Sequence, residues 1–463
     1  MNIPTIEVQP GGVETLRARI RGDVVLSGDE SWDSERQAWN LAADQNPALI
    51  ALPESAGDVV EIVNYARANG LRVAAQGTGH GAMPLESLAS TVLVKTSRMR
   101  RVDIDVDGRS ARAEAGAVWT DVTEPAAEHG LVALHGSSPN VGVVGYSLGG
   151  GIGWLARSHG LASGSVTAIE IVTASGRFVR ADHETEAELF WALRGGGGSF
   201  GVVTAIEFDL YRLSEIYAGW LIFPIERTSE VLHAWREWTQ TAPDSVTSVG
   251  RVLRLPPLPD IPEPLRGRSI VVIEAAFQGS RADGDELIAP LRHLGPEIDT
   301  FAVMPAAALT RLHQDPEDPV PALGNGTLLA EGPAEAIDAF VDAVGPDSGS
   351  TLLSAELRQI GGALARKVPG SGAIATLDGE YAMFGVGMAI TPEMAEATGA
   401  DVRRVQQALE PWATPHKYFN FSESGGDGDE QFDPETYRLL QEVKDRYDAD
   451  EMIVSNHPIR PAR

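Results

Sequence analysis

The stretch Pro139-Asn140-Val141-Gly142-Val143-Val144-Gly145-Tyr146-Ser147-Leu148-Gly149-Gly150-Gly151-Ile152-Gly153-Trp154-Leu155 decides how this chain is read. Within it, Gly145-Tyr146-Ser147-Leu148-Gly149 fits G-x-S-x-G, and residues 141–144 read as a strand leading into it, the pattern of a nucleophile elbow. The helix after such an elbow would have to begin with Gly149, Gly150, Gly151 and Gly153. An interior glycine costs about 1 kcal/mol against alanine, a poor start for a helix that holds a strained serine. A serine hydrolase using Ser147 stays an alternative; it needs an unassigned aspartate and His457 to complete a triad. The competing reading is backbone brought unusually close to a bound group.

Two further glycine runs bear on the choice. Gly77-Thr78-Gly79-His80-Gly81-Ala82 follows a strand expected over 71–75 and matches G-x-G-x-x-[GA], the dinucleotide fingerprint. A Rossmann turn must open a helix. Here Met83-Pro84-Leu85 follow with no helical periodicity, and a helix already precedes the strand, so that reading fails. The loop can still wrap phosphates with its own N–H groups. Arg194-Gly195-Gly196-Gly197-Gly198-Ser199-Phe200-Gly201 lies between an aromatic helix (Phe190, Trp191) and a strand over 202–208. That placement favours a tight crossover over a flexible linker.

The chain has 463 residues, 43% hydrophobic and 22% charged, with Lys plus Arg 37 and Asp plus Glu 65, a net charge of −28. It is about three times a typical domain length and composed like a globular protein. Such a charge repels phosphate backbones and anionic lipid, so no nucleic-acid or membrane partner is expected. The 49 glycines concentrate in the first half, and there are no cysteines, which excludes disulfides, thiolate nucleophiles and Cys-ligated metals. His135, His159 and His457 have no metal-ligand spacing, so hydrogen-bonding histidines and no metal are expected. Residues 1–20 show no charged stretch followed by an apolar run, and the cytoplasm is the expected compartment.

Ser55-Ala56-Gly57-Asp58 reads as a capping box before a helix carrying Val59, Ile62, Val63 and Ala66, stopped by Gly70. Strands are expected over 91–95 and 169–173, and a short helix, capped by Thr185, through Leu193. After residue 212 the texture changes. Strands over 219–224, 246–255, 269–278 and 381–390 alternate with amphipathic helices over 227–240, 282–294, 334–343 and 392–412, with a proline-rich loop over 255–264. From 419 onward come an acidic glycine loop (422–430), a helix (434–447) and an Asn-His-Pro tail that returns to the first unit. The fold expected is α+β (α/β-type), with units over 1–212 (core 43–212), 213–418 and 419–463.

Several of these segments, taken in order, carry a resemblance. They are Val73-Ala74-Ala75-Gln76-Gly77-Thr78-Gly79-His80, the 139–155 stretch, and Leu189-Phe190-Trp191-Ala192-Leu193-Arg194 with its glycines. Tyr418-Phe419-Asn420, Tyr437 to Leu440, Lys444, Tyr447-Asp448 and Asn456 add to them in the tail. Together they resemble the berberine-bridge-enzyme-like oxidoreductases of the vanillyl-alcohol-oxidase or PCMH-type flavoproteins, strongly at both ends and weakly in the middle. The resemblance implies a two-part PCMH-type FAD-binding domain, plus a substrate domain with an antiparallel sheet flanked by helices. It implies FAD bonded covalently through His80 to the flavin 8α-methyl. Many members add a cysteinyl bond at the position held here by Ser138, so a single bond is expected.

The resemblance further places Gln76, Gly77, Thr78, Gly79, Gly81 and Ala82 on one side of the cofactor. Gly142, Gly145, Tyr146, Gly149, Gly150 and Gly153 take the other side, with Trp154, Gly160, Val172 and Asn420 as further contacts. Neutral backbone donors suit a pyrophosphate in so acidic a chain. Implied chemistry is hydride removal from a C–H of a small alcohol, sugar or secondary metabolite to flavin N5, dioxygen being the acceptor. Tyr418 is the expected base, with Tyr381 and Glu380 as second choices. Where members often carry Tyr-x-Asn-Tyr this chain ends in Phe421, and Ala375-Thr376-Leu377 replaces a usual Pro-His-Arg. A flavin-bearing protein that sequesters a metabolite without turnover is the other alternative, and a monomer or homodimer is expected.

Overall fold

The computed structural model describes residues 10–259 and 261–462. Residues 1–9, on which part of the reading of 1–20 rests, lie outside the described residues, as do Asp260 of the proline-rich loop and Arg463.

Helix Ala56–Ala68 forms as its sequence dictates: Ser55 accepts a hydrogen bond from the Asp58 N–H, and Val59, Ile62, Val63 and Ala66 make its buried face. That face covers a five-stranded sheet ordered Asp23–Val25, Leu49–Leu52, Thr91–Lys95, Arg72–Gln76, Ile453–Val454. The last four strands run parallel, and Leu49–Leu52 is buried throughout, as a strand covered on both faces must be. A second, antiparallel sheet is ordered Val102–Asp105, Ser110–Glu114, Gly201–Asp209, Val166–Thr173, Phe178–Asp182. Val172 and Val202 from it share one core with the helix and the first sheet.

A third antiparallel sheet takes strands from 215 to 388, with Glu215–Pro224, Ser269–Phe277, Val246–Arg254, Ser354–Gln359, Tyr381–Met388 and Ala322–Leu329 side by side. Helices Thr228–Thr239, Arg281–Arg292, Ala334–Val344 and Pro392–Leu409 cover one face. The other face packs on Trp154, Leu155 and Ala162 of the glycine-rich half. Thus the third sheet puts side chains directly opposite the glycine loops.

Several expectations are corrected. Residues 141–144 are not a strand; Val143–Leu148 is a short helix, and Ser147 is buried within it. An elbow serine must stand exposed on a strand-to-helix turn, so the hydrolase reading loses its geometry. Helix Ala187–Leu193 starts after Glu186 at φ +50° with no side-chain cap, so Thr185 does not cap it. Strand Ala322–Leu329 was hidden by its glycines: a Cβ at Gly324 would stand 2.6 Å from the Phe384 ring, and one at Gly326 2.8 Å from Phe421 Cβ. The 195–201 run is a tight crossover, since Gly195 and Gly197, both at positive φ, donate to the Leu148 carbonyl at 3.0 and 3.1 Å. Among the described residues no helix is long and apolar enough to cross a membrane.

Candidate functional site

The strand Arg72–Gln76 delivers the loop 77–82 to the middle of the first sheet, beside the loop that precedes helix Val143–Leu148. At Gly142 a Cβ would stand 3.8 Å from Thr78, which is how closely the two loops meet. His80 stacks on Trp39 with ring centroids 4.1 Å apart and pairs through Nδ1 with Thr78 Oγ1 at 2.7 Å. Its Nε2 is enclosed and has no partner. Burial pushes the imidazole down to about 4, against the opposing charge of Asp315, so His80 is neutral at pH 7. Ser138, which stands where a cysteinyl bond would need a cysteine, donates to Asp315 Oδ2 at 3.2 Å.

The glycines have two different reasons. Cβ atoms would fall 2.0 Å from Asn420 Oδ1 at Gly149, 1.9 Å from the His135 carbonyl at Gly153 and 2.7 Å from Ala38 Cβ at Gly79. At these three the close neighbour is the protein itself, which corrects the reading of the whole cluster as room for a ligand. Gly145 has nothing within 4 Å of where its Cβ would be, and there the backbone is open. Gly77 and Gly81 would meet the Ala115 carbonyl and Asn456 at 3.4 and 3.1 Å. Ala82 is buried and donates to the Gly79 carbonyl at 3.3 Å.

The tail closes the site. Asn420 Nδ2 donates to the Tyr146 carbonyl at 3.0 Å and to the Tyr418 hydroxyl at 3.2 Å. Tyr418 is buried, its ring edge 3.6 Å from a Cβ placed at Gly150. Burial raises the phenol above its ordinary pKa, while Asn420, the N–H groups of Gly151 and Ile152, and the charge of Arg358 pull it back. Gln76 Oε1, Asn140 Oδ1, Tyr146 OH, Trp154 Nε1 and His135 Nε2 are enclosed without hydrogen-bond partners. Buried polar atoms without partners are rare in folded proteins, so this concentration marks a place built for a polar ligand. FAD fits the Gln76, Asn140 and His135 members of that set, with the His80 loop and the open backbone at Gly145 as its holding elements.

Tyr381 and Glu380 do not join these groups. Tyr381 points into the helix-covered face, bonded to Thr239 Oγ1 at 2.5 Å and packed on Trp235, and Glu380 accepts from the Gly332 N–H. Strand alternation puts Tyr381 on the face opposite to the site, so neither is placed to take a proton there. Val172 lies in the core between the first two sheets, and Gly160 ends the short helix Ala156–His159 at φ +86°. His135, His159 and His457 pair with the Gly136 carbonyl, Gln278 and the Ser422 carbonyl.

The third sheet adds residues that sequence reading missed. Arg251 pairs with Glu274 at 2.6 Å; His313 bridges Glu274 at 2.5 Å and Glu356 at 2.8 Å; Arg358 pairs with Glu356 at 2.9 Å. All five are buried. Burial and Arg251 push His313 down, but Glu274, Asp315 and Glu356 outweigh them and hold it at about 9. The available signal was Glu274, the lone charge in the otherwise largely apolar strand Ser269–Phe277, since such a charge must be paired.

Near this wall, Glu423 accepts from the Gly324 N–H at 2.8 Å, and burial raises its carboxyl to about 7. An acid with a raised folded pKa is penalised once ionised, so its contribution falls between its unfolded value near 4.3 and about 7. Glu423→Gln, which can still accept that N–H, is expected to melt like the wild type near pH 5. By pH 8 it should be more stable by about 1–3 kcal/mol, and equal melting at both pH values would refute this.

A family described as FAD binding domain matches residues 47–182. The (R)-6-hydroxynicotine oxidase of Paenarthrobacter nicotinovorans is 36% identical over 203 residues, 44% of this chain and 44% of that one. The match therefore spans less than half the length of that relative. The crystal structure of 6-hydroxy-D-nicotine oxidase from Arthrobacter nicotinovorans superposes with a TM-score of 0.80 and 26% identity, covering 94% of this chain and 96% of that one. Berberine bridge enzyme from Eschscholzia californica shares the fold, with a TM-score of 0.82 and 18% identity over 97% of this chain and 99% of its own. With a matched FAD binding domain over residues 47–182 and that fold running through nearly the whole chain, the protein is similar to the berberine-bridge-enzyme-like, PCMH-type FAD-linked oxidoreductases.

Proposed function

We propose that the chain is a cytoplasmic oxidase that carries one FAD bonded through His80 alone and oxidises a small secondary metabolite, with dioxygen as acceptor. FAD-binding residues lie in 1–212, the substrate-facing sheet in 213–418, and 419–463 closes the site. Bound FAD supplies a two-electron acceptor for hydride. The observation that carries the reading is His80: a neutral imidazole, stacked on Trp39 and set by Thr78, with an enclosed nitrogen that has no partner. A neutral imidazole holds the lone pair that a bond to carbon requires. Gly142 and Gly145 offer backbone to the cofactor. Tyr418 receives the substrate proton, and Asn420 orients it.

The test is colour. Purified protein is expected to be yellow, and acid precipitation should carry the yellow down with the polypeptide. His80→Ala should release it to the supernatant. Colour that stays bound in His80→Ala would show the attachment residue to be wrong, and a colourless wild type would remove the flavin reading altogether. A protein that only sequesters its ligand would bind metabolites without the bleaching that turnover produces.

A further inference from the structure

The geometry points to a substrate with an anionic oxygen, a carboxylate or an ionised vinylogous acid, received by Arg358, Trp154 and Tyr146. The inference rests on the flavin reading and names the substrate class of that same site.

The register places the charges on one face. Val249 stands opposite both Glu274 and Arg358, and Arg251 stands opposite Glu356, so all four side chains leave the sheet on the side of the glycine loops. His313 reaches the same face, bonded to both glutamates. Glu356 is committed to His313 and Arg358; Glu274 is bonded to His313 through Oε2, while its Oε1 is ion-paired with Arg251 at 2.6 Å and accepts no hydrogen bond. Asp315, 3.9 Å from His313, is committed to Ser137 and Ser138.

What remains uncommitted on this face, beside Glu274 Oε1, is a set of donors. Arg358 Nε, Arg251 Nε and Trp154 Nε1 are enclosed without partners, and so is the Tyr146 hydroxyl. The Arg358 guanidinium lies 6.0 Å from the Trp154 ring and 5.5 Å from the Phe421 ring, and Phe421 meets Tyr418 edge-on at 5.2 Å. A Cβ at Gly153, next to Trp154, would stand 3.4 Å from the Tyr146 hydroxyl. The three donor residues Arg358, Trp154 and Tyr146 therefore cluster beside Tyr418. Leaving a buried guanidinium N–H unpaired is costly, and a ligand that brings an acceptor removes that cost. A charged oxygen does so most strongly, while a protonated amine would meet Arg358 as a like charge.

The test uses the yellow holoprotein at pH 7.5 and two ligand pairs, benzoate with benzamide and indole-3-acetate with indole-3-acetamide. Affinities are read by calorimetry and by shifts in the flavin absorbance. Each acid is expected to bind about tenfold or more tightly than its amide, the gain from one charge-assisted hydrogen bond. Arg358→Gln should reduce the preference to within about threefold, Arg358→Lys should keep part of it, and Trp154→Phe should weaken the acids more than the amides. Equal affinities in the wild type, no binding by either acid, or a preference that survives Arg358→Gln would overturn the inference. Colourless protein would sink the flavin reading as well; yellow protein that treats acid and amide alike would sink this inference alone.

Discussion

Tyr418→Phe is expected to slow substrate-driven bleaching by about 10²–10⁴-fold, the usual weight of one positioned proton-transfer group. Its colour, attachment and melting temperature should stay close to wild type. Three N–H groups converge on the phenol oxygen: Asn420 Nδ2, whose orientation is fixed by its bond to the Tyr146 carbonyl, and the backbone of Gly151 and Ile152. A protonated phenol has two acceptor sites, so three donors favour the form that has lost its proton. Burial works the other way and keeps the phenol above its ordinary pKa, with Arg358 opposing it. The balance gives the sign of the pH dependence: rate rises with pH because it follows the ionised fraction. That rise should vanish in Tyr418→Phe. A variant as fast as wild type, with the same pH profile, would remove Tyr418 from the reaction.

The two halves of the site differ in how far their sequences reveal them. The His80 loop is legible because ordered motifs fix both the strand and the loop after it, and Arg72–Gln76 lies within one residue of the strand expected over 71–75. The glycine runs are legible as close-packed backbone, though at Gly149 and Gly153 the packing partner is a distant part of the chain rather than a ligand. No local pattern can reveal that Asn420 approaches Gly149. The charged wall was invisible for a similar reason, because Arg251, Glu274 and Glu356 come together through strand pairing and His313 reaches them from the segment after Ala306–Arg311. Tyr381 misled because an aromatic residue in a strand carries no mark of which face is the site; here the helices took that face.

Lys444→Met is expected to destabilise the protein by about 3–5 kcal/mol, the weight of stranding one partner of a buried ion pair. Lys444 Nζ lies 2.5 Å from Asp448 Oδ2 and donates to the Ser199 carbonyl at 2.7 Å, and both side chains are almost wholly enclosed. Burial lowers the lysine pKa and raises that of the aspartate, so each stays charged only because the other is there. Asp448 also accepts from the Met452 and Ile453 N–H groups at 2.8 and 2.9 Å, which sets the entry of Ile453–Val454 into the first sheet. That strand pairs with Val73 and Ala74, three residues before the His80 loop begins. Beyond it, Asn456 stands beside Gly81, and His457 donates to the Ser422 carbonyl just after Asn420. Loosening the pair thus reaches both loops that hold the site. Denaturant titration should show the lost stability, and the fraction of chains retaining colour after acid precipitation should fall with it. Lys444→Met with Asp448→Asn should recover part of both, because the stranded charge is gone while the amide oxygen still accepts an N–H. Full stability in Lys444→Met would mean the pair does not hold the tail, and the link from Asp448 to the His80 loop would fail with it.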